Sequence, residues 1–208
     1  MGKGTHWIYR GDVAWQATGN DATVHKSRLD WNMEIVDNIQ RGHYRAALIR
    51  GHPSDLARYE QGRARGCDVL IGVDNERFYL VQCNSSASRE KLTLTERQLS
   101  SMITNDNLIF RLPIAQGDSF GGDPERGVND GMYAWYAQTI RPATLKGISG
   151  ITGAGPWTEY ILTYRTNPDH EIDTYVPGIG LTAYVYSHHG SVSEVNVKLI
   201  QLQLPKPD

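Results

Sequence analysis

Cysteine is scarce in this chain, long apolar runs are missing, and no block of basic residues occurs. Two cysteines stand among 208 residues, so a dense disulfide framework is excluded; a chain of this length can bury a sizeable core without one, and without a structural metal. The longest apolar stretches, such as that around Leu70, fall far short of the roughly 18 residues of a membrane-spanning helix. Acids and bases are mixed, at a formal net charge of −2, which argues against nucleic-acid binding driven by phosphate neutralisation. The opening "MGKGTHWIYRG" holds no apolar signal-peptide core. The expectation is a cytoplasmic chain, or an envelope or extracellular one whose leader has been trimmed.

What the chain does hold is two-residue periodicity. "HWIYRGDVAW" is short and aromatic. In "RLDWNMEIV", Leu29, Trp31, Met33 and Ile35 share one face while Asp30, Asn32 and Glu34 share the other, the pattern of a half-buried strand. "DNIQRG" reads as a turn into "HYRAALIRG", and a short helical turn is expected after Ser54 in the polar connection "HPSDLARYEQGRARG". One helix is expected near 93–103, with Thr93 and Glu96 as a capping box and Leu94, Leu99, Met102 and Ile103 as its apolar stripe.

After "NLIFRLPIAQG", a further strand, comes the polar loop "GDSFGGDPERGVNDG". From Met132 the segments "MYAWYAQTI", "WTEYILTYRT", "EIDTYV", "LTAYVYSHH" and "SEVNVKLIQLQL" read as an antiparallel meander. Val176-Pro177-Gly178-Ile179 suits a type II turn, since proline presets φ at its second position and glycine accepts positive φ at its third. The expected fold is mainly β. About ten antiparallel strands form a sandwich, barrel or half-barrel, with one short helix, in a single domain spanning 1–208.

The cysteines fall in "CDVLIGVDNERFYLVQC", two strands around a turn at Asp74-Asn75-Glu76. A three-residue loop pairs Val73 with Arg77, and that register sets Cys67 opposite Cys83. A cross-strand disulfide is then geometrically open, which would fit an oxidising compartment. The other reading leaves two unpaired thiols, buried as small hydrophobes.

Candidates for chemistry centre on "YVYSHHGSVSE". His188 and His189 point to opposite faces if the strand runs through them. At a turn, His170, His189 and Glu194 would supply nitrogen and oxygen ligands of a zinc type, although their spacing matches no metal signature. His188, His189 and Glu194 are equally the candidates for acid–base work. Against both stands the reading in which the imidazoles bond backbone groups and Gly190 supplies a left-handed turn residue. "GDSFGG" departs from the nucleophile motif of trypsin-like proteases at Phe120, and no matching histidine segment precedes it. "GISGITGAG" fits neither a nucleophile elbow nor a phosphate loop. Asp118, Asp123, Glu125 and Asp130 lack the calcium-loop pattern. No cofactor is expected.

Eleven tyrosines and five tryptophans gather on the expected strands. Tyr184 and Tyr186 fall on the face opposite Leu181, Ala183 and Val185, and Tyr160 and Tyr164 share a face with Leu162. With Trp135 they make either ordinary core or the wall of a ligand cavity, for which tyrosine suits because its ring packs while its hydroxyl finds a partner.

The C-terminal "TYVPGIGLTAYVYSHHGSVSEVNVKLI", with "LIFRLPIAQGDSF" and "GTHWIYRGDVAW", resembles uncharacterised bacterial envelope or lipoprotein-like proteins that close on a PG[VI]G turn, a strand, a histidine-glycine tip and a last strand. The resemblance implies a secreted or surface β domain, with the curved half-barrel of lipoprotein carriers, and brings no catalytic residues. Together these readings favour a non-enzymatic binding or structural domain that takes an apolar small molecule or a protein partner on an aromatic concave face. A histidine- and carboxylate-dependent hydrolase or lyase, metal-assisted or not, is the second expectation. Self-assembly through strand edges is the third.

Overall fold

The computed structural model describes residues 2–16, 23–58, 65–83, 90–122, 131–153 and 155–205. The elements in chain order are β1 (His6–Gln16), β2 (Val24–Arg41), β3 (Tyr44–Arg50), a 3-10 turn (Pro53–Arg58), β4 (Cys67–Val73), β5 (Arg77–Gln82), α1 (Glu96–Met102), a second 3-10 turn (Asn105–Asn107), β6 (Leu108–Arg111), β7 (Ser119–Phe120), β8 (Trp135–Ala143), β9 (Trp157–Arg165), β10 (Asp169–Val176), β11 (Gly180–His188) and β12 (Ser193–Gln203). All twelve strands form one antiparallel, nearly closed, barrel-like sheet in the order β6-β5-β4-β3-β2-β1-β12-β11-β10-β9-β8-β7.

Each half is a meander, and the first and last strands pair at the middle of the sheet. Gly11 makes that pairing close: a Cβ there would lie 1.9 Å from the carbonyl oxygen of Asn196. The outer edges, β6 and β7, share no ladder. They are joined instead by Gly122 N–H donating to the Asn105 carbonyl (3.0 Å), Asn105 Nδ2 donating to the Gly122 carbonyl (2.6 Å), and an Arg111–Asp118 ion pair at 3.3 Å.

Two expected boundaries move. "DNIQR" is strand, not turn: β2 runs to Arg41 through a bulge at Val36, and the reversal falls at Gly42, whose φ is +55°. The helix starts two residues later than its first capping pattern suggests. Leu92 is buried and its N–H donates to Asp37 Oδ2 at 2.8 Å, which holds the chain extended. Thr95 and Gln98 therefore form the capping box in place of Thr93 and Glu96. Strand β7 lies within the loop read as polar, where Phe120 is buried against Trp135.

The turns follow their residue chemistry. Asp74 and Asn75 both take positive φ (53° and 59°), and Glu76 N–H donates to the Val73 carbonyl. Asp and Asn tolerate that region better than other side chains. At the other end, Gly178 has φ +85° and Ile179 N–H donates to the Val176 carbonyl, the expected type II turn.

Two clusters make the core. One gathers Trp7, Tyr9, Met33, Leu181, Tyr184 and Val197 beside the first 3-10 turn. The other gathers Leu48, Ile71, Leu99, Phe110, Trp135 and Leu162. Tyr175 packs against both. No helix among the described residues is long and apolar enough to cross a membrane.

Candidate functional site

Strand β10 carries Asp169, Glu171 and Asp173 at alternate positions, hence on one face. Their cross-strand partners show which face that is. Asp173 lies between Leu162 and Tyr184, Glu171 between Tyr164 and Tyr186, and Asp169 opposite His188. Leu162 is 0% exposed and Asp173 and Tyr184 are each 1% exposed. The ladder of carboxyls therefore runs from buried Asp173, among tyrosines, out to Asp169, whose side chain is 38% exposed.

The carboxyls differ in how they are held. Asp169 is saturated. Tyr186 donates its hydroxyl to Oδ1 at 2.5 Å, His188 Nδ1 lies 3.0 Å from the same oxygen, and Thr166 Oγ1 donates to Oδ2 at 3.1 Å. Burial raises the pKa of this carboxyl, but those hydrogen bonds and the neighbouring imidazole outweigh burial and hold it below the usual carboxylate range. Asp173 is poorly supplied. Its Oδ2 accepts from the Tyr175 hydroxyl at 2.8 Å, while Oδ1 is buried without a partner among the described residues. Burial pushes its pKa up to about 7, against the pull of Tyr175. Glu171 is likewise raised well above the ordinary carboxylate range, by burial and then by repulsion from Asp173 and Asp169.

The tyrosines respond to the same environment. Tyr9 and Tyr184 are pushed upward, first by burial and then by the nearby carboxyls. Tyr9 spends its hydroxyl on the Leu181 carbonyl (2.9 Å), and Trp7 Nε1 donates to the Ile179 carbonyl (2.7 Å). These bonds tie β1 to the start of β11 and to the turn before it, across β12. Trp135 and Tyr164 pack with ring centroids 5.3 Å apart.

Of the residues singled out from the sequence, Trp135, Tyr160, Tyr164, Tyr184 and Tyr186 come to this wall. Tyr160 pairs with Tyr175 on β10, and Phe110 packs edge-on to Tyr160 at 5.5 Å. A bulge at Thr182 shifts the register. It corrects one expectation: Leu181 does not lie on the face away from Tyr184 but packs into the same cluster.

The histidines divide. His188 turns to Asp169, while His170 lies near enough to His189 that, after burial and Arg165, its charge lowers the His170 pKa. His189 stands at the hairpin tip with its N–H donating to the Pro168 carbonyl at 2.7 Å, and Gly190 has φ +135°. His170 pairs with Ser187 and Glu194 pairs with the same Ser187 from the other side, so the two are separated by two strand spacings, about 9.5 Å. Exposed Glu194 lines an open groove of about 530 Å³ across β2, β1, β12 and β11, together with Asp12, Lys26 and Arg28. Among the described residues no group of three His, Cys, Asp or Glu side chains is placed to hold a metal ion. His170, His189 and Glu194 do not converge. Asp123, Glu125 and Asp130 lie outside the described residues; Asp118 serves the Arg111 pair at the barrel seam.

Cys67 and Cys83 are joined as a disulfide with Cα atoms 5.4 Å apart, at the open end of the β4–β5 hairpin.

The residues that sequence reading passed over are Asp169, Glu171, Asp173, Tyr175 and Tyr9. Their signal was legible as acids at every second position of "DHEIDTYV". Alternation alone assigns such acids to solvent. No family model matches the chain, and no curated protein or solved structure is significantly similar to it.

Proposed function

We propose that this chain is a non-enzymatic binding domain of the cell envelope or of a secreted protein, which takes a small, partly apolar molecule against the tyrosine wall of its barrel-like sheet. One observation carries the reading: β9, β10 and β11 present Tyr160, Tyr164, Tyr175, Tyr184 and Tyr186 on a single inward face, interleaved with carboxyls. Rings of this kind pack against a ligand's carbon skeleton while polar groups between them set its orientation. The disulfide supports an oxidising compartment, and the likeness of the chain's ends to envelope proteins belongs to the same reading. Self-assembly through strand edges is less favoured. The outermost strands, β6 and β7, are four and two residues long and are bridged to each other.

A second reading rests on the Asp169–His188 contact at 3.0 Å. A carboxylate that orients an imidazole is the supporting half of a general base, and His188 lies at the end of the same wall. A hydrolase or lyase built on it would lose activity in H188Q and D169N alike.

Native mass spectrometry of the protein purified from its own host tests the first reading. A copurifying small molecule, released on denaturation, is the expected result. A ligand-free protein that also excludes the dye 1-anilinonaphthalene-8-sulfonate from its interior would refute it.

A further inference from the structure

The tyrosine wall contains one buried acceptor that no described residue satisfies. Asp173 is 1% exposed and its Oδ1 has no partner among the described residues. Neither Asp173 nor Glu171 forms an ion pair with a lysine or arginine among the described residues. Asp169, four residues before Asp173 on the same face, shows how this fold supplies a carboxyl when it means to keep one ionised: tyrosine, histidine and threonine all donate to it. A buried carboxyl with one oxygen unsupplied and no counter-charge is costly. Such a group is characteristic of sites whose missing partner comes from outside.

The missing partner has a definable chemistry. It must bring an N–H or O–H donor to the orphaned oxygen, and positive charge answers two adjacent carboxyls better than a neutral donor does. The flanking Tyr164, Tyr184 and Tyr186 favour a cation that carries carbon, since ring faces attract cations and pack against apolar groups. A bare metal ion fits poorly. Carboxyls two residues apart on a strand are rooted about 7 Å from each other, and no third ligand joins them among the described residues.

Resting on the binding reading above, we infer that the site between Glu171 and Asp173 takes a protonated primary amine with an apolar or aromatic substituent, the ammonium on the carboxyls and the substituent on the tyrosines.

Titration calorimetry of the full chain at pH 7.5, with benzylamine and with the near-isosteric neutral benzyl alcohol, decides this. Benzylamine is expected to bind roughly ten- to a hundredfold tighter, as one charge-assisted hydrogen bond provides. E171Q and D173N should abolish that preference. Both variants remove a buried acid and should fold, which far-ultraviolet circular dichroism checks; if one does not, the wild-type comparison alone decides. Equal affinity of amine and alcohol overturns the amine inference and leaves the tyrosine-wall reading standing. So does an amine preference that persists in both variants. Failure of both probes, with no copurifying molecule, overturns the two together.

Discussion

Asp173 on β10 and Tyr184 on β11 are direct cross-strand partners, each 1% exposed, so a carboxyl is buried opposite a phenol at the heart of the C-terminal meander. Among the described residues, the one hydrogen bond to that carboxyl comes from Tyr175 along its own strand. This arrangement sets the pH behaviour of the fold.

Burial pushes Asp173 up to about 7 from its ordinary 3.8. Across that window the folded protein keeps a proton that the unfolded chain has released. Stability should therefore fall as pH rises from about 4 to 7 and stay low above, by up to about 4 kcal/mol. Asp68, raised to about 7 by burial and by Asp55, acts in the same direction. D173N should be more stable than wild type at pH 8 by about 2 kcal/mol and nearly equal to it at pH 4, as urea denaturation across the range would show. Equal stabilities at pH 8 would refute the assignment.

His52 works in the opposite sense. Burial lowers it to about 4 from 6.5, so between those values the unfolded chain takes up a proton that the folded one refuses. Its contribution to stability rises with pH over that window and is complete above it. Relative to wild type, H52N should thus gain stability on acidification from pH 6.5 to 4. The same urea series reads this as a slope of stability against pH that is more negative in the variant than in wild type over that window.

Tyr175→Phe removes the donor to Asp173 Oδ2 while keeping the ring between the two core clusters. With both carboxyl oxygens then unsupported, a loss of about 1–2 kcal/mol is expected at neutral pH. At pH 4, where the carboxyl is protonated, the loss should shrink. A pH-independent loss would mean that the bond plays no part.

The Cys67–Cys83 bridge closes a loop across a sequence separation of 16. Reduction, or the pair of substitutions C67S and C83S, should cost about 3 kcal/mol through the regained freedom of the unfolded chain. Differential scanning calorimetry with and without reductant measures it. An unchanged transition would show that the β4–β5 ladder alone holds the hairpin.

Gly11→Ala tests the central seam. The added Cβ meets the Asn196 carbonyl at 1.9 Å and Val197 Cα at 2.7 Å, both backbone, so β1 and β12 must part. A loss of about 3 kcal/mol is expected, seen as a lowered midpoint in urea. A neutral outcome would mean that the β1–β12 pairing takes up a Cβ without parting.

How far the chain could be read depended on whether a feature is local. The strands from Met132 onward, the type II turn at Pro177-Gly178 and the Cys67–Cys83 register follow from alternation and turn chemistry, which act over a few residues. The bulges at Val36 and Thr182 do not, because nothing in either segment's composition announces the extra residue. Each bulge shifts the side chains beyond it to the other face, and that shift brings Leu181 to the side of Tyr184.

By itself the sequence determined a β meander, its turns, and a concentration of tyrosine on the last strands. Which way β10 faces was decided only by the tertiary structure. Alternation in "DHEIDTYV" defines two faces, acids on one and Ile172 with Thr174 on the other, and local hydropathy would send the acids outward. Pairing of Asp173 with Leu162 and Tyr184 sends them inward. A strand's side-chain period is a local property, but its orientation is set by the neighbours it bonds to, and β9 and β11 had already committed their buried faces.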